Sequence, residues 1–231
     1  MNFTSRLTKG ETIAALVWIP VHIIVLPNIL GLLSRTGRID VTTANLVLYA
    51  AGMLYMLIML GRFLRREFDP LCDRPFFCLL QVAGSYVAML FFNAAFAAIL
   101  LLISGEDIIA NPNNQAVTGL AESSPGIINA TGIFLAPIVE ELMFRAGIFG
   151  TILRRKRVLA YIVSMLAFGI YHVWAYLPDN PVYLLFIIQY LPVSWLLCRC
   201  YEKTNTIWTP IFMHILVNAV SMAAIEKLAA L

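Results

Sequence analysis

Seven apolar runs, at 11–33, 41–61, 76–104, 126–153, 158–176, 181–200 and 206–229, account for most of this 231-residue chain. A run of about 18 or more apolar residues is long enough to cross the hydrocarbon core of a bilayer as a helix. The runs predict an all-α, polytopic membrane protein, a bundle of about seven transmembrane helices in a single membrane domain. Composition agrees: the chain is 61% hydrophobic and 13% charged, where soluble domains carry about 25% charged residues, and its mean hydropathy is +0.83. The third run is longer than a bilayer needs. At about 1.5 Å per residue it measures about 44 Å, against a hydrocarbon core of about 30 Å, so it must tilt, bend or project into water. Pro20 and Pro27 should kink the first helix, and His22 between them reads as a packing or interfacial residue rather than a ligand. The length of that run, its prolines and the lack of a small-residue cleavage site speak against a signal peptide.

The net charge of +3 is a topology signal and not a nucleic-acid footprint. Twelve of the sixteen Lys and Arg residues lie in the N-terminus (Arg6, Lys9) and the connections at 62–75 (Arg62, Arg65, Arg66, Arg74), 154–157 (Arg154, Arg155, Lys156, Arg157) and 199–205 (Arg199, Lys203). The opposite set holds Arg35, Arg38 and Lys227, and the 105–125 connection has no basic residue. Positive residues stay on the cytoplasmic side. The expected orientation therefore has the N-terminus in the cytoplasm, the 105–125 connection and the C-terminus outside, a bacterial plasma membrane as the location, and anionic lipid headgroups as partners of the basic loops. Cys72, Cys78, Cys198 and Cys200 fall in or beside cytoplasmic loops and read as free thiols, without a zinc-site spacing.

Charges reappear inside the fourth run, where A-P-I-V-E-E-L-M-F-R-A-G (136–147) sets Glu140, Glu141 and Arg145 among apolar residues. A charge at the centre of a spanning helix costs roughly 2.5–3.5 kcal/mol on insertion scales, so such residues face a protein interior and usually serve function. Glu141 and Arg145 stand at i and i+4 with the acid first, the favourable order for a pair; they are equally a buried ion pair that fixes packing. Glu140 points about 100° round the helix and has no partner in its own segment. Two more polar signals interrupt apolar runs: His172, after Phe168, in the fifth, and His214 with Asn218 in the last, on one helical face. Either alone is a common interhelical hydrogen-bonding residue. Counted from the cytoplasmic ends at about 1.5 Å per residue, Glu140, His172 and Asn218 lie about 18–22 Å deep, with His214 and Arg145 about 12 Å deep. A polar cluster in one band of the membrane is expected to be reached by water from the cytoplasmic side.

In this order and on successive spans, E-E-x-x-x-R (Glu140, Glu141, Arg145), F-x-x-x-H (Phe168, His172) and H-x-x-x-N (His214, Asn218) resemble the CPBP or Abi family of intramembrane endopeptidases, which includes the type II CAAX prenyl proteases. The resemblance covers residues 124–225 as a catalytic core and leaves out the three N-terminal helices (1–105). Many members have Gly directly after the arginine; here Ala146 follows and Gly147 comes next. The resemblance implies peptide hydrolysis: Glu140 activates water with help from His172, His214 and Asn218 donate to the oxyanion, and Glu141 with Arg145 braces them. The substrate would be a membrane-associated protein or peptide, prenylated or a bacteriocin-like precursor. A metal-free site is favoured; if zinc is present, Glu140, His172 and His214 are its ligands, a His₂Glu set without the H-E-x-x-H signature. Two other readings compete. Intramembrane Glu, Arg and His also mark transporters and proton relays, although no inverted repeat is visible, and an idle immunity or binding protein could keep the same pocket.

Overall fold

The computed structural model describes residues 3–104 and 111–229. Residues 105–110, the start of the expected exterior connection, lie outside the described residues. Everything described is helical or in short connections, with no strand among the described residues. Helix α1 runs over Lys9–Arg35, α2 over Val41–Arg66, α3 over Pro75–Ser104 and α4 over Pro112–Ser123. Then follow α5 over Pro125–Leu153, α6 over Arg157–Val173, α7 over Ile187–Thr204 after a 3₁₀ segment, and α8 over Trp208–Ala229. Six of these segments are long and apolar enough to span a membrane, and α8 supplies a shorter apolar stretch, Trp208–Ala224. The protein is an all-α polytopic membrane protein.

Local chemistry explains where the helices begin. Thr8 caps α1 in a reciprocal box with Glu11, and Glu11 in turn pairs with Arg66 at 2.8 Å; the box satisfies two otherwise orphaned donors. Asp40 caps α2 by accepting from the Thr43 amide at 2.8 Å. Asn111 caps α4, with Pro112 at its first position, the arrangement that suits a proline whose missing N–H is not needed there. Helix α4 lies where the sequence suggested only a connection, because its composition is too polar to register as a span. Where the prolines suggest a kink in α1, the helix is π-wound over Val21–Val25, directly after Pro20.

The bundle is organised around α5. More than half of its apolar window, 56%, is buried, against 11% for α3 and 28% for α1. Helices α1, α2, α6 and α8 all pack on it, which is why this helix alone can carry two carboxylates and a guanidinium. Small residues allow the close approaches: a Cβ at Gly147 would stand 3.2 Å from that of Ala15, and one at Gly52 would stand 3.1 Å from a Val139 methyl. Close backbone approach at small residues is the usual means of packing helices in lipid. The outer faces are apolar and exposed, as at Ile58, Phe76, Phe91 and Val158, and the charges of α5 are inside.

The connections that carry the basic residues meet at one end. There Arg66 pairs with Glu11, Arg154 donates to the Leu7 carbonyl, Arg74 to the Thr204 carbonyl, and Arg157 pairs with Glu202 at 2.6 Å. Asn205, in the left-handed conformation that ends α7 (φ 55°), accepts from the Thr4 amide at 2.7 Å and ties the N-terminus to the same end. All four cysteines are free, Cys72 exposed and the others buried.

Gly52 faces Val139, one residue before Glu140, so Gly52→Val must force α2 away from α5. Overpacking of this kind costs about 1–3 kcal/mol. Thermal unfolding in detergent should show a lower melting temperature for Gly52→Val and none for Gly61→Ala, whose added methyl meets open space.

Candidate active site

Helix α5 brings Glu140 and Glu141 to the middle of the bundle on a short α-helical stretch, Ala136–Glu141, held between two π-helical ones, Ala130–Leu135 and Leu142–Phe149. π-Helical turns inside α-helices concentrate at functional sites because they re-aim side chains and free backbone groups. Here one freed group can be identified. The Ala136 amide bonds back to the Thr131 carbonyl; the next carbonyl in that register, that of Gly132, faces Pro137, which has no N–H to offer. Asn218 fills the role from α8, donating from Nδ2 to the Gly132 oxygen at 2.8 Å.

Glu141 and Arg145 are both completely buried and pair at 3.1 Å, as the i, i+4 spacing predicts. Each reaches further. Glu141 Oε1 also lies 2.8 Å from His214 Nδ1. Arg145 donates to Ser194 Oγ at 3.0 Å and stands over the Phe168 ring, 4.2 Å from its centroid. The pair thereby links α5 to α6, α7 and α8.

Glu140 is buried and has no charge partner on its own helix. Its Oε1 accepts from Tyr49 Oη at 3.3 Å. Tyr49 Oη lies 2.9 Å from Tyr171 Oη, which lies 3.3 Å from His22 Nε2. If Tyr49 donates to the carboxylate, it must accept from Tyr171, and Tyr171 from His22, so the chain of donors runs inward to Glu140. The other oxygen, Oε2, has no hydrogen-bond partner among the protein atoms. It faces His172 Nε2 at 3.8 Å and His214 Nε2 at 3.9 Å.

The partners of the two imidazoles determine what those nitrogens can do. His172 Nδ1 lies 2.8 Å from the Phe168 carbonyl, which only accepts, so Nδ1 carries the hydrogen and Nε2 is left as an acceptor. His214 Nδ1 donates likewise to Glu141, leaving its Nε2 aimed at Glu140. The His172 ring is further held by stacking on Tyr190, with centroids 4.4 Å apart. In kind, Glu140, His172 and His214 are a zinc donor set, but among the described residues no three His, Cys, Asp or Glu side chains come close enough together to hold an ion.

All six predicted site residues thus come together, and four of them, Glu140, His172, His214 and Asn218, line one cavity of about 670 Å³. The turn of depth expected between Glu140 and His214 does not keep their side chains apart, since His214 Nε2 reaches to 3.9 Å from Glu140 Oε2. One expectation changes: the cavity opens away from the basic end. Along α5 it touches Glu140, Ala136, Gly132, Thr131 and Ile128 and nothing after Glu140, because Phe144, Arg145, Phe149 and Tyr201 fill the basic side completely. Tyr49, Tyr171, Tyr190 and Ser194 escaped the sequence reading. A tyrosine or serine in an apolar run looks like packing, and only the position of Tyr171 directly before His172 offered a hint.

Residues 123–220 match the family model described as type II CAAX prenyl endopeptidase Rce1-like. Among curated sequences, YdiL of Bacillus subtilis, provisionally named a membrane peptidase, is 30% identical over 46% of this chain and 40% of its own length. The UPF0177 protein YxdF of Lactococcus lactis is 31% identical over 41% of this chain and 48% of its own. Another lactococcal UPF0177 protein, YvdC, is 23% identical over 77% of this chain and 65% of its own. The chain therefore spans less than half the length of the first two relatives. No solved structure matches it. The matched segment, 123–220, holds all six site residues.

The two adjacent glutamates should respond differently to loss of charge. Glu141→Gln strands the buried Arg145, and removing one partner of a buried pair costs about 3–5 kcal/mol, so its melting temperature in detergent should fall. Pairing it with Arg145→Met should restore part of that loss. Glu140→Gln, which breaks no ion pair on its own helix, should melt near wild type.

Proposed function

We propose that this protein is an intramembrane endopeptidase in which Glu140 activates the attacking water. The observation that carries the reading is the opposition of Glu140 Oε2 to two histidine Nε2 atoms at 3.8 and 3.9 Å, with Oε1 anchored by Tyr49. A carboxylate held by one oxygen keeps the other for proton transfer. The separations from Oε2 to the two nitrogens suit a single water that donates to Glu140 and to His172.

In the reaction, the water oxygen attacks the carbonyl carbon of the substrate while its proton passes to Glu140 Oε2. The negative charge that develops on the carbonyl oxygen is met by the second N–H of Asn218, whose first is held by Gly132, and by His214. With Nδ1 committed to Glu141, His214 donates from Nε2 when both ring nitrogens carry a hydrogen. Collapse breaks the C–N bond, and the proton on Glu140 goes to the leaving nitrogen, yielding an acid and an amine. Donors placed where the oxyanion forms are commonly worth about 10²–10³ in rate.

The family match over 123–220 and the peptidase name carried by YdiL support hydrolysis of a peptide bond. The orientation proposed with it has the basic end in the cytoplasm of a bacterium and a membrane-associated protein or peptide as substrate. Zinc is the competing assignment because the donor set is right in kind. Glu140, His172 and His214 would have to draw closer together than they stand here to hold it, and it would then supply Lewis-acid chemistry.

Glu140→Gln should abolish cleavage of a membrane-anchored peptide substrate in purified, reconstituted protein while the melting temperature stays near wild type; full activity in that variant overturns the proposal. Tyr49→Phe should retain the fold and lower kcat more than KM, since it frees the carboxylate without touching substrate. Activity should survive dialysis against a strong chelator. Stoichiometric zinc, lost and regained together with activity, would establish the metal mechanism instead.

A further inference from the structure

We infer that the site takes its substrate from the side of the membrane opposite the basic loops, the extracytoplasmic side, and that the substrate is an internal, uncharged, extended stretch of polypeptide. This rests on the endopeptidase reading and adds the direction of entry and the class of chain.

Two independent placements give the direction. The first is the cavity. Its floor is the Glu140–His172–His214 group, and every element lining it does so from that level toward the end where α4 lies: Asn45 and Leu48 near the start of α2, Trp174 to Tyr176 beyond the end of α6, and Ser221 and Met222 late in α8. Toward the basic end there is no path, because fully buried Phe63, Phe144, Arg145, Phe149 and Tyr201 close the core beneath the site. The second is charge. The N-terminus and the connections around 66–74, 154–157 and 202–204 are bound to one another at the closed end. Basic connections remain on the cytoplasmic side, so the open end is the extracytoplasmic one.

The lining gives the class. Apart from Glu140 and three histidines, no charged side chain among the described residues touches the cavity. A free C-terminal carboxylate entering such a cavity would be desolvated without a cation to receive it. What the wall offers instead is amides: Asn45, Asn93, Asn113, Asn114, Gln189 and Asn218. Each presents both a donor and an acceptor, the pair of functions that an extended peptide backbone presents in return. The site is thus built for a bond within a chain and not for release of a short charged tail.

The direction is tested without using activity. In Cys72→Ser protein, Asn114→Cys at the exposed rim should react with a membrane-impermeant maleimide added to intact protoplasts. Wild-type Cys72, exposed near the basic end, should react only after the membrane is opened. The reverse pattern overturns the inference and leaves the endopeptidase reading standing. Cleavage is tested with a library of acetylated, amidated neutral peptides given to sealed vesicles. Glu140-dependent cleavage should occur in right-side-out vesicles and not in inside-out ones until detergent is added; cleavage confined to inside-out vesicles overturns the direction. Absence of Glu140-dependent cleavage even in detergent overturns the endopeptidase reading, and the inference falls with it. For the peptide cut best, ending the chain in a free carboxylate a few residues beyond the scissile bond should slow cleavage about tenfold or more. Equal or faster cleavage overturns the assignment of an internal bond.

Discussion

The buried pair of Glu141 and Arg145 is the constraint on which the rest of the site depends. Both side chains are fully buried, so each finds partners beyond the other only within the protein, and each reaches to another helix, while Glu141 Oε2 and Arg145 Nε have no hydrogen-bond partner among the protein atoms. Glu141 orients His214; Arg145 binds Ser194 and lies on Phe168, whose carbonyl fixes the hydrogen of His172. Both histidines that face Glu140 are therefore set, directly or through one residue, by this single ion pair. Such pairs seldom add net stability over an apolar replacement, and their best-attested use is to specify one arrangement among several. Here the arrangement specified is the alignment of α6 and α8 against α5.

Against that pair, Glu140 is governed by different helices. Its anchoring comes from Tyr49 on α2, and through Tyr171 from His22 on α1. Tyr49 and His22 belong to the N-terminal helices and Tyr171 to α6, and the close contact of Gly52 with Val139 sets how near α2 comes. The π winding on both sides of Ala136–Glu141 has a similar bearing: it turns the two glutamates toward different neighbours and exposes the Gly132 carbonyl that Asn218 takes.

Much of this was legible in the sequence because lipid makes the signals coarse. Long apolar runs have no other use, so the spans were readable to within a few residues, and Glu140, Glu141, Arg145, His172, His214 and Asn218 stood out because a polar residue in such a run demands an explanation. The i, i+4 pairing of Glu141 with Arg145 held because one turn of helix separates them whatever surrounds it. Legibility ended where it depended on which face met which neighbour. Tyr49 and Ser194 are ordinary residues until a carboxylate or a guanidinium arrives from elsewhere, α4 is too polar to be seen as a span and too short to stand out as a helix, and the direction in which the cavity opens is a property of packing beneath the site. A count of residues from a helix end, however careful, measures depth and not access.

The donor chain from His22 through Tyr171 and Tyr49 to Glu140 crosses the boundary of the segment that matches the Rce1-like family model, since His22 and Tyr49 lie outside residues 123–220. The carboxylate and the groups that aim it thus reside in different parts of the chain. A core transplanted onto foreign N-terminal helices would arrive with every reactive group intact and its principal carboxylate unaimed.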